Sequence, residues 1–394
     1  MSSTPRHIAP AERRARLALR HRLTRAGAAA RPEDVADSLV ALHGTDPATV
    51  CLAVGARLAD PAGTVEETAR ALYEDRTLIR MHGMRHTVFV FPAELTAVVH
   101  ASTGLAVAAR ERASLVKDMA KAGAPDAVWL KEVEDATLAA LARRGQATAA
   151  ELAEDEPRLR EQWVYAPGKS YEGVHTLSTR LLRVLGVEGR IVRGRPLGGW
   201  TSNQLRWAVA PPHPELDVAE AQSALLRRWL TACGPATEAD LKWWTGWRVT
   251  EVRRALAAIG AEPVSLEEGT GYVTAGDLAP PADPVAPWAA LLPSLDPTAM
   301  GWQHRDWYLA PELRPALFDG SGNVGPTVWW DGRVVGSWAQ RPDGEIAWRV
   351  LDRTGIGGEA EAAIGEAAER LRGWVGATRV TPRFRTPVER ELSA

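Results

Sequence analysis

Apolar residues recur at helical spacing through Val128–Arg144 (Leu130, Val133, Leu138, Leu141) and again through Ala219–Ala232 (Leu225, Leu226, Leu230), which predicts two amphipathic helices. Each is followed by nearly the same short segment. One reads Gly145-Gln146-Ala147-Thr148-Ala149-Ala150-Glu151-Leu152 and the other Gly234-Pro235-Ala236-Thr237-Glu238-Ala239-Asp240-Leu241. A Thr with an acid three residues on is a capping-box pattern, which fixes where a short second helix begins. Third helices are predicted at Val174–Leu185 and Thr250–Ile259. The first places Leu177, Leu181, Leu182 and Leu185 on one face with Arg180 and Arg183 beside it. The second turns Val252, Leu256 and Ile259 inward and Arg253 and Arg254 outward. Gly186 and Gly260 close them as C-caps. Candidate hairpins follow, Arg190–Arg195 against Pro196–Trp200, and Pro263–Leu266 against Tyr272-Val273 across a turn at Glu268–Gly271. Helix, short helix, helix and two-stranded wing is the order of a winged-helix module, whose third helix can enter a DNA major groove.

The N-terminal part fits the same scheme less tidily. Helical stretches at Pro10–Arg25, Pro32–Leu42 and Asp46–Leu58 precede a helix from Val65 to Asp75. Strands Thr77–Met81 and Thr87–Phe91 then flank a His82-Gly83-Met84 turn, and Pro92 ends the hairpin. Prolines at 280, 281, 284 and 287 mark a linker-like change of character. Beyond them, short apolar runs (Thr327–Trp330, Arg333–Trp338, Ile346–Val350) are separated by Asp331-Gly332 and Asp343-Gly344, strong hairpin signals. The expectation is an α+β protein of three tandem winged-helix units, at 1–125, 126–213 and 214–279. A small C-terminal β domain (280–394) capped by a helix at Glu359–Val375 completes it.

Composition narrows the class. The 394 residues are 45% apolar and 24% charged, which excludes a largely disordered chain, a collagen-like repeat and a disulfide scaffold. Two cysteines, Cys51 and Cys233, supply no metal or disulfide framework. No apolar run reaches the length of a membrane-spanning helix, and Met1–Arg25 lacks the apolar core of a secretory signal, so the expected location is the cytoplasm, beside the nucleoid. The net charge of −2 conceals three arginine-rich groups, at Arg6–Arg25, Arg180–Arg206 and Arg370–Arg390. Such patches suit a nucleic-acid partner on a neutral protein, and equally suit solvated helix faces.

Candidate chemistry is sparse. Phosphate-binding Gly-rich loops, His-Glu-x-x-His and Cys-x-x-Cys metal sites, and a Gly-x-Ser-x-Gly elbow are all missing from the sequence, so no cofactor or metal is expected. His82 and His86 lie four apart in a hairpin and read as a packed or exposed pair rather than metal ligands. Most of the 16 tryptophans, Trp243, Trp244, Trp247, Trp329 and Trp330 among them, read as core. The stretch Leu42-His43-Gly44-Thr45-Asp46-Pro47 is different, because polar groups interrupt an apolar setting. Asp46-Pro47 predicts an N-cap with Pro in the first turn.

That stretch, with Leu52-Ala53 and Ala56-Arg57-Leu58 after it, resembles the catalytic segment of AlkZ-type winged-helix DNA glycosylases. Arg80-Met81-His82-Gly83-Met84-Arg85-His86-Thr87 resembles that family's Met-Arg-x-Thr stretch. Leu291–Pro297 and Asp331–Trp338 resemble its C-terminal signatures, so the likeness covers most of the chain, from about Arg13 to Leu392. The family's Gln-x-Gln or Gln-x-Asp motif is replaced here by His43-x-Thr45. The resemblance implies a monofunctional glycosylase acting on bulky or crosslinking alkylated purines in double-stranded DNA. His43, Thr45 and Asp46 would be the catalytic group, directing water and balancing charge on the sugar. Arg85 and the hairpin residues Arg80, His82 and His86 would contact DNA, with Arg180, Arg183, Arg193 and Arg195. A non-catalytic DNA-binding regulator, or a lesion- or drug-binding protein, is the alternative on the same scaffold. No dimer face is legible, and a monomer is expected.

Overall fold

The computed structural model describes residues 5–123, 126–165 and 173–394. The expected boundary at 125 lies outside them. After α1 (Pro10–Arg20), the chain runs α2 (Pro32–Ser38), β1 (Leu42–His43), α3 (Pro47–Gly55) and α4 (Thr64–Ala69), which continues in a π turn at Arg70–Glu74. The hairpin β2 (Leu78–His82) and β3 (Val88–Pro92) follows, and β1 pairs antiparallel with β3 to give the order β1-β3-β2. The sequence reading carried the second helix through Leu42. The chain leaves it at Ser38 instead, and the segment joins the hairpin as an edge strand. Helices α5 (Thr96–Val99) and α6 (Leu105–Lys121), joined by a π turn at His100–Gly104, lead onward.

The next repeat is α7 (Ala127–Arg144), α8 (Ala149–Asp155), the hairpin β4 (Gln162–Tyr165) and β5 (Gly173–Thr176), α9 (Leu177–Val187), β6 (Ile191–Arg193) and β7 (Trp207–Val209). Two expectations are corrected here. Val174–Thr176 is strand, not helix, because it pairs with Gln162–Val164. The partner of β6 is Trp207–Val209 rather than Pro196–Trp200, which leaves a long connection at 194–206. Ala147 bridges Trp207 as the edge of this small sheet.

A third repeat is better formed: α10 (Val218–Cys233), β8 (Ala236–Thr237), α11 (Glu238–Thr245), α12 (Val249–Ala258), and the hairpin β9 (Glu262–Leu266) and β10 (Gly269–Val273), with sheet order β8-β10-β9. Its turn is the pair Glu267-Glu268, tighter than expected. Both capping boxes predicted from the repeated segment are made. Thr148 accepts from Glu151 N while Glu151 accepts from Thr148 N, and Thr237 and Asp240 do the same.

The C-terminal part opens with β11 (Ala289–Leu292), α13 (Pro297–Met300) and α14 (Arg314–Leu317). Strands β12 (Thr327–Trp330), β13 (Arg333–Gln340) and β14 (Ile346–Val350) then form a four-stranded antiparallel meander with β11. The expected helix is α15 (Gly358–Val375), whose Ile364, Ala368 and Leu371 pack on Val328, Val335 and Trp338. A further short helix, α16 (Pro387–Leu392), was not anticipated. Mixed helix and sheet agrees with the α+β expectation. No described helix is long and apolar enough to cross a membrane.

The N-terminal helix belongs elsewhere in space. Leu17 and Ala18 join the core of Leu225, Leu226 and Trp229 from α10. Arg13 pairs with Glu268, and Arg16 and Arg20 pair with Asp277. The chain's start is therefore clamped on the third repeat, and α2 opens the first.

Candidate functional site

The loop from His43 to Asp46 sits where β1 ends and α3 begins. Gly44 N donates to Val88 O at 2.8 Å, bringing the loop so close to β3 that a Cβ on Gly44 would lie 3.0 Å from the Phe89 carbonyl carbon. Asp46 is the N-cap. Its Oδ1 accepts from Ala48 N at 3.1 Å, and Pro47 occupies the first turn, where no N–H is needed. Its Oδ2 accepts from Arg383 N at 3.2 Å, tying the loop to the C-terminal segment. From β2, the Arg80 Nε donates to Gly44 O at 2.7 Å and Nη2 reaches Thr45 O at 3.5 Å. Three separate parts of the chain thus fix a four-residue loop.

His43 packs edge-on against Phe89, with ring centroids 5.4 Å apart, and its Nδ1 is enclosed without a hydrogen-bond partner. Burial, with Arg85 and Arg80 nearby, lowers its pKa to about 4, so the imidazole is neutral at physiological pH. The half-buried Thr45 lends its carbonyl to Arg80, and its hydroxyl bonds to no described residue.

The hairpin tip takes an unusual path. Arg85 and His86 both lie in the left-handed region, at φ 52° and 64°, conformations that cost non-glycine residues about 1 kcal/mol or more each. They turn the Arg85 guanidinium onto the Trp243 ring of α11, 4.2 Å from its centre, where Arg305 also packs at 4.9 Å. His86 stacks on His82 at 5.2 Å and lies 3.5 Å from Glu111. His82 is buried, and its pKa falls to about 3 under burial and the charges of Arg193 and Arg183. Both histidines form a packed pair, as the sequence suggested.

The expected DNA-facing arginines divide. Arg180 faces inward, not outward, and pairs with Asp118 at 3.2 Å. Arg80 is likewise buried. Arg183 is exposed and makes no ion pair with a described residue. Arg193 lies over Trp207 at 3.6 Å, and burial beside Arg80 and Arg183 lowers its pKa to about 9. Arg195 pairs with the exposed Glu74 at 2.7 Å.

Charge pairing sorts the sequence clusters. In the N-terminal group Arg6, Arg13, Arg16, Arg20 and Arg25 all have carboxylate partners, and on α12 Arg253 pairs with Glu238. In contrast Arg76, Arg80, Arg85, Arg183, Arg193, Arg305 and Arg383 form no ion pair among the described residues. The charges of Arg80, Arg85, Arg183, Arg193 and Arg305 act against protonation at His43, His82, Arg85 and Arg193. A positive field is concentrated around the loop and hairpin. Such a field attracts phosphate, since single-sign charge lining a cleft raises local counter-ion concentration. Trp243, Arg305 and Arg383 were not singled out for this site from sequence. Trp243 and Arg383 stood among the noted tryptophans and arginines, whereas nothing local marks Arg305.

A model of the AlkZ-like DNA glycosylase family matches residues 36–374. The structure is similar to that of the Streptomyces sahachiroi DNA glycosylase AlkZ, with a TM-score of 0.71 at 20% identity, over 96% of this chain and 99% of that one. No curated protein matches the sequence at a significant level. With its family match spanning most of the chain, the chain belongs to the AlkZ-like DNA glycosylase family.

Proposed function

We propose that this protein is a monomeric, monofunctional DNA glycosylase that removes bulky alkylated purines from double-stranded DNA without a metal. The reading rests on one observation. His43, on the loop that resembles the family's catalytic segment, is held neutral by burial, and the two arginines near it, Arg80 and Arg85, have no acidic partner among the described residues. The arrangement of helix, edge strand, helix, helix and hairpin, repeated in the chain, supports three winged-helix units, within 1–125, 126–213 and 214–279, the first opening at α2 because α1 packs on the third, followed by the β domain at 280–394. The S. sahachiroi relative is a DNA glycosylase, which supports the same reaction class here.

An N7-alkylated purine is already a cationic leaving group. The bond between N9 and the sugar C1′ breaks with its electron pair passing to the base, which leaves neutral. Water adds to the oxocarbenium-like sugar and loses its proton, giving an abasic site. His43 holds that water through an imidazole nitrogen and, being neutral, does not oppose the sugar cation. Its low pKa makes it a weak base, so proton loss follows C–N cleavage, when the attacking water has become strongly acidic. Thr45 orients the water, and the Asp46 carboxylate offsets positive charge on the sugar. Arg85, His86, Arg183, Arg193 and Arg195 hold backbone phosphates or the minor groove.

The test is duplex carrying N7-methylguanine or a bulky N7-alkylguanine, incubated with the protein and treated with mild alkali. Strand cleavage that is lost in His43→Ala supports the reading. Duplex binding without cleavage on either substrate would shift it to a non-catalytic DNA-binding protein.

A further inference from the structure

The loop at 43–46 has a second side. Behind it lies a cavity of about 310 Å³, walled by Val50 and Cys51 of α3, Thr68 and Ala69 of α4, Tyr73 of the π turn, and Trp200 from the 194–206 connection. That volume falls in the range of small-molecule sites, which are mostly apolar with a few placed polar groups. The polar groups here are specific. Arg80 lines the cavity and is 3% exposed. While Nε and Nη2 serve the loop, its Nη1 is enclosed and makes no well-formed hydrogen bond, its polar neighbour being the Tyr73 hydroxyl and not a carboxylate. The Thr68 hydroxyl on the same wall is also enclosed, with the Cys51 thiol as its polar neighbour.

No described carboxylate lies within ion-pair distance of Arg80. The other cation in the wall, Arg195, is already paired with Glu74. A buried guanidinium N–H without an acceptor is costly, and an anion placed in the cavity satisfies it through a charge-assisted bond. The charge also excludes a cationic alkylated base, so the site is separate from the lesion chemistry and does not rest on it.

We propose that this cavity is a binding site for a small apolar organic acid, its carboxylate accepting from Arg80 and its hydrocarbon or aromatic body lying against Val50, Ala69 and Trp200. Because the same guanidinium holds Gly44 O, the acid and the loop share one side chain.

Isothermal titration of the purified full-length protein with 2-naphthoate, and separately with its neutral analogue 2-naphthamide, tests this. The acid is expected to bind one site per chain at least about tenfold more tightly than the amide, the scale of one charge-assisted contact. Arg80→Met should reduce the acid to the level of the amide. Ala69→Trp, which fills the cavity without touching Arg80's place on the loop, should abolish binding of both, with an intact melting transition confirming the fold. Absence of heat with millimolar acid overturns the proposal, as do equal affinities for acid and amide. Binding that survives Ala69→Trp places the anion on the exposed arginines instead, and a preference that survives Arg80→Met excludes the assigned receptor.

Discussion

The Arg80 Nε donates a 2.7 Å hydrogen bond to the Gly44 carbonyl, so a side chain of β2 sets the path of the loop that carries His43 and Thr45. A planar guanidinium can serve two loop carbonyls at once, whereas an ammonium is a point charge. Arg80→Lys is therefore expected to lower base release by up to about 10²-fold, as a 1 Å misplacement at a reacting centre can. Duplex affinity should change little. A variant that excises at the wild-type rate would remove Arg80 from the positioning of the loop.

His43→Ala should reduce excision by about 10²- to 10⁴-fold, the usual contribution of a positioned proton-transfer group. His43→Gln, which restores the family's residue, should recover a substantial part of it. Single-turnover release of base, measured beside duplex affinity, separates chemistry from binding.

Acid should destabilise the fold through buried histidines. His43 has its pKa lowered to about 4, and His21 and His82 to about 3, all three mainly by burial. The unfolded chain therefore binds more protons than the native one below about pH 6.5. Stability is full above that pH and falls as the pH drops toward 4 and then 3, by on the order of 3 kcal/mol for His43 alone. Excision should likewise show no titration near pH 6.5 and decline only toward pH 4. A break near 6.5 in the single-turnover pH profile would contradict a buried, neutral His43.

Asp46→Asn keeps one oxygen for the Ala48 N–H but presents an amide N–H₂ to the Arg383 N–H, or the reverse. One of two backbone donors, the buried Ala48 N–H or the part-buried Arg383 N–H, then loses its acceptor, at a cost of about 1–3 kcal/mol when it is the buried one. Calorimetry should show the lower transition. Excision should fall beyond what the stability loss explains if the carboxylate charge itself acts on the sugar.

Arg183→Ala and Arg180→Ala, three residues apart on α9, should behave oppositely. Exposed Arg183 has no acidic partner among the described residues, so its loss should leave melting unchanged. Duplex binding should weaken, and the slope of log affinity against log salt should fall by about 0.9 for one lost phosphate contact. Arg180 is largely buried against Asp118, so its removal should destabilise the fold by about 3 kcal/mol with little change in salt slope.

Local sequence was enough wherever the interactions were local. Thr148 with Glu151, and Thr237 with Asp240, close their capping boxes within three residues, so the repeat was visible and the short helices begin where the pattern placed them. Asp46-Pro47 starts α3 for the same reason, and the Asp331-Gly332 turn joins β12 to β13 as written. Strand pairing was less legible. Nothing near Leu42 states that it will meet Val90, or that β6 will pass over Pro196–Trp200 to reach Trp207.

Charge was the least legible. Arg13 and Arg183 look alike in sequence, both set in arginine-rich helical stretches. The first meets Glu268, 255 residues away, and the second meets no acid among the described residues. What the sequence by itself determined was where helices start, where turns fall and which residue types stand at the His43 loop. Tertiary structure alone decided which arginines are neutralised, that Arg383 reaches Asp46 across 337 residues, and that burial keeps His43 neutral. The physical reason is range. Capping and turn energies act over a few bonds, whereas ion pairing and desolvation depend on which distant groups the fold brings together.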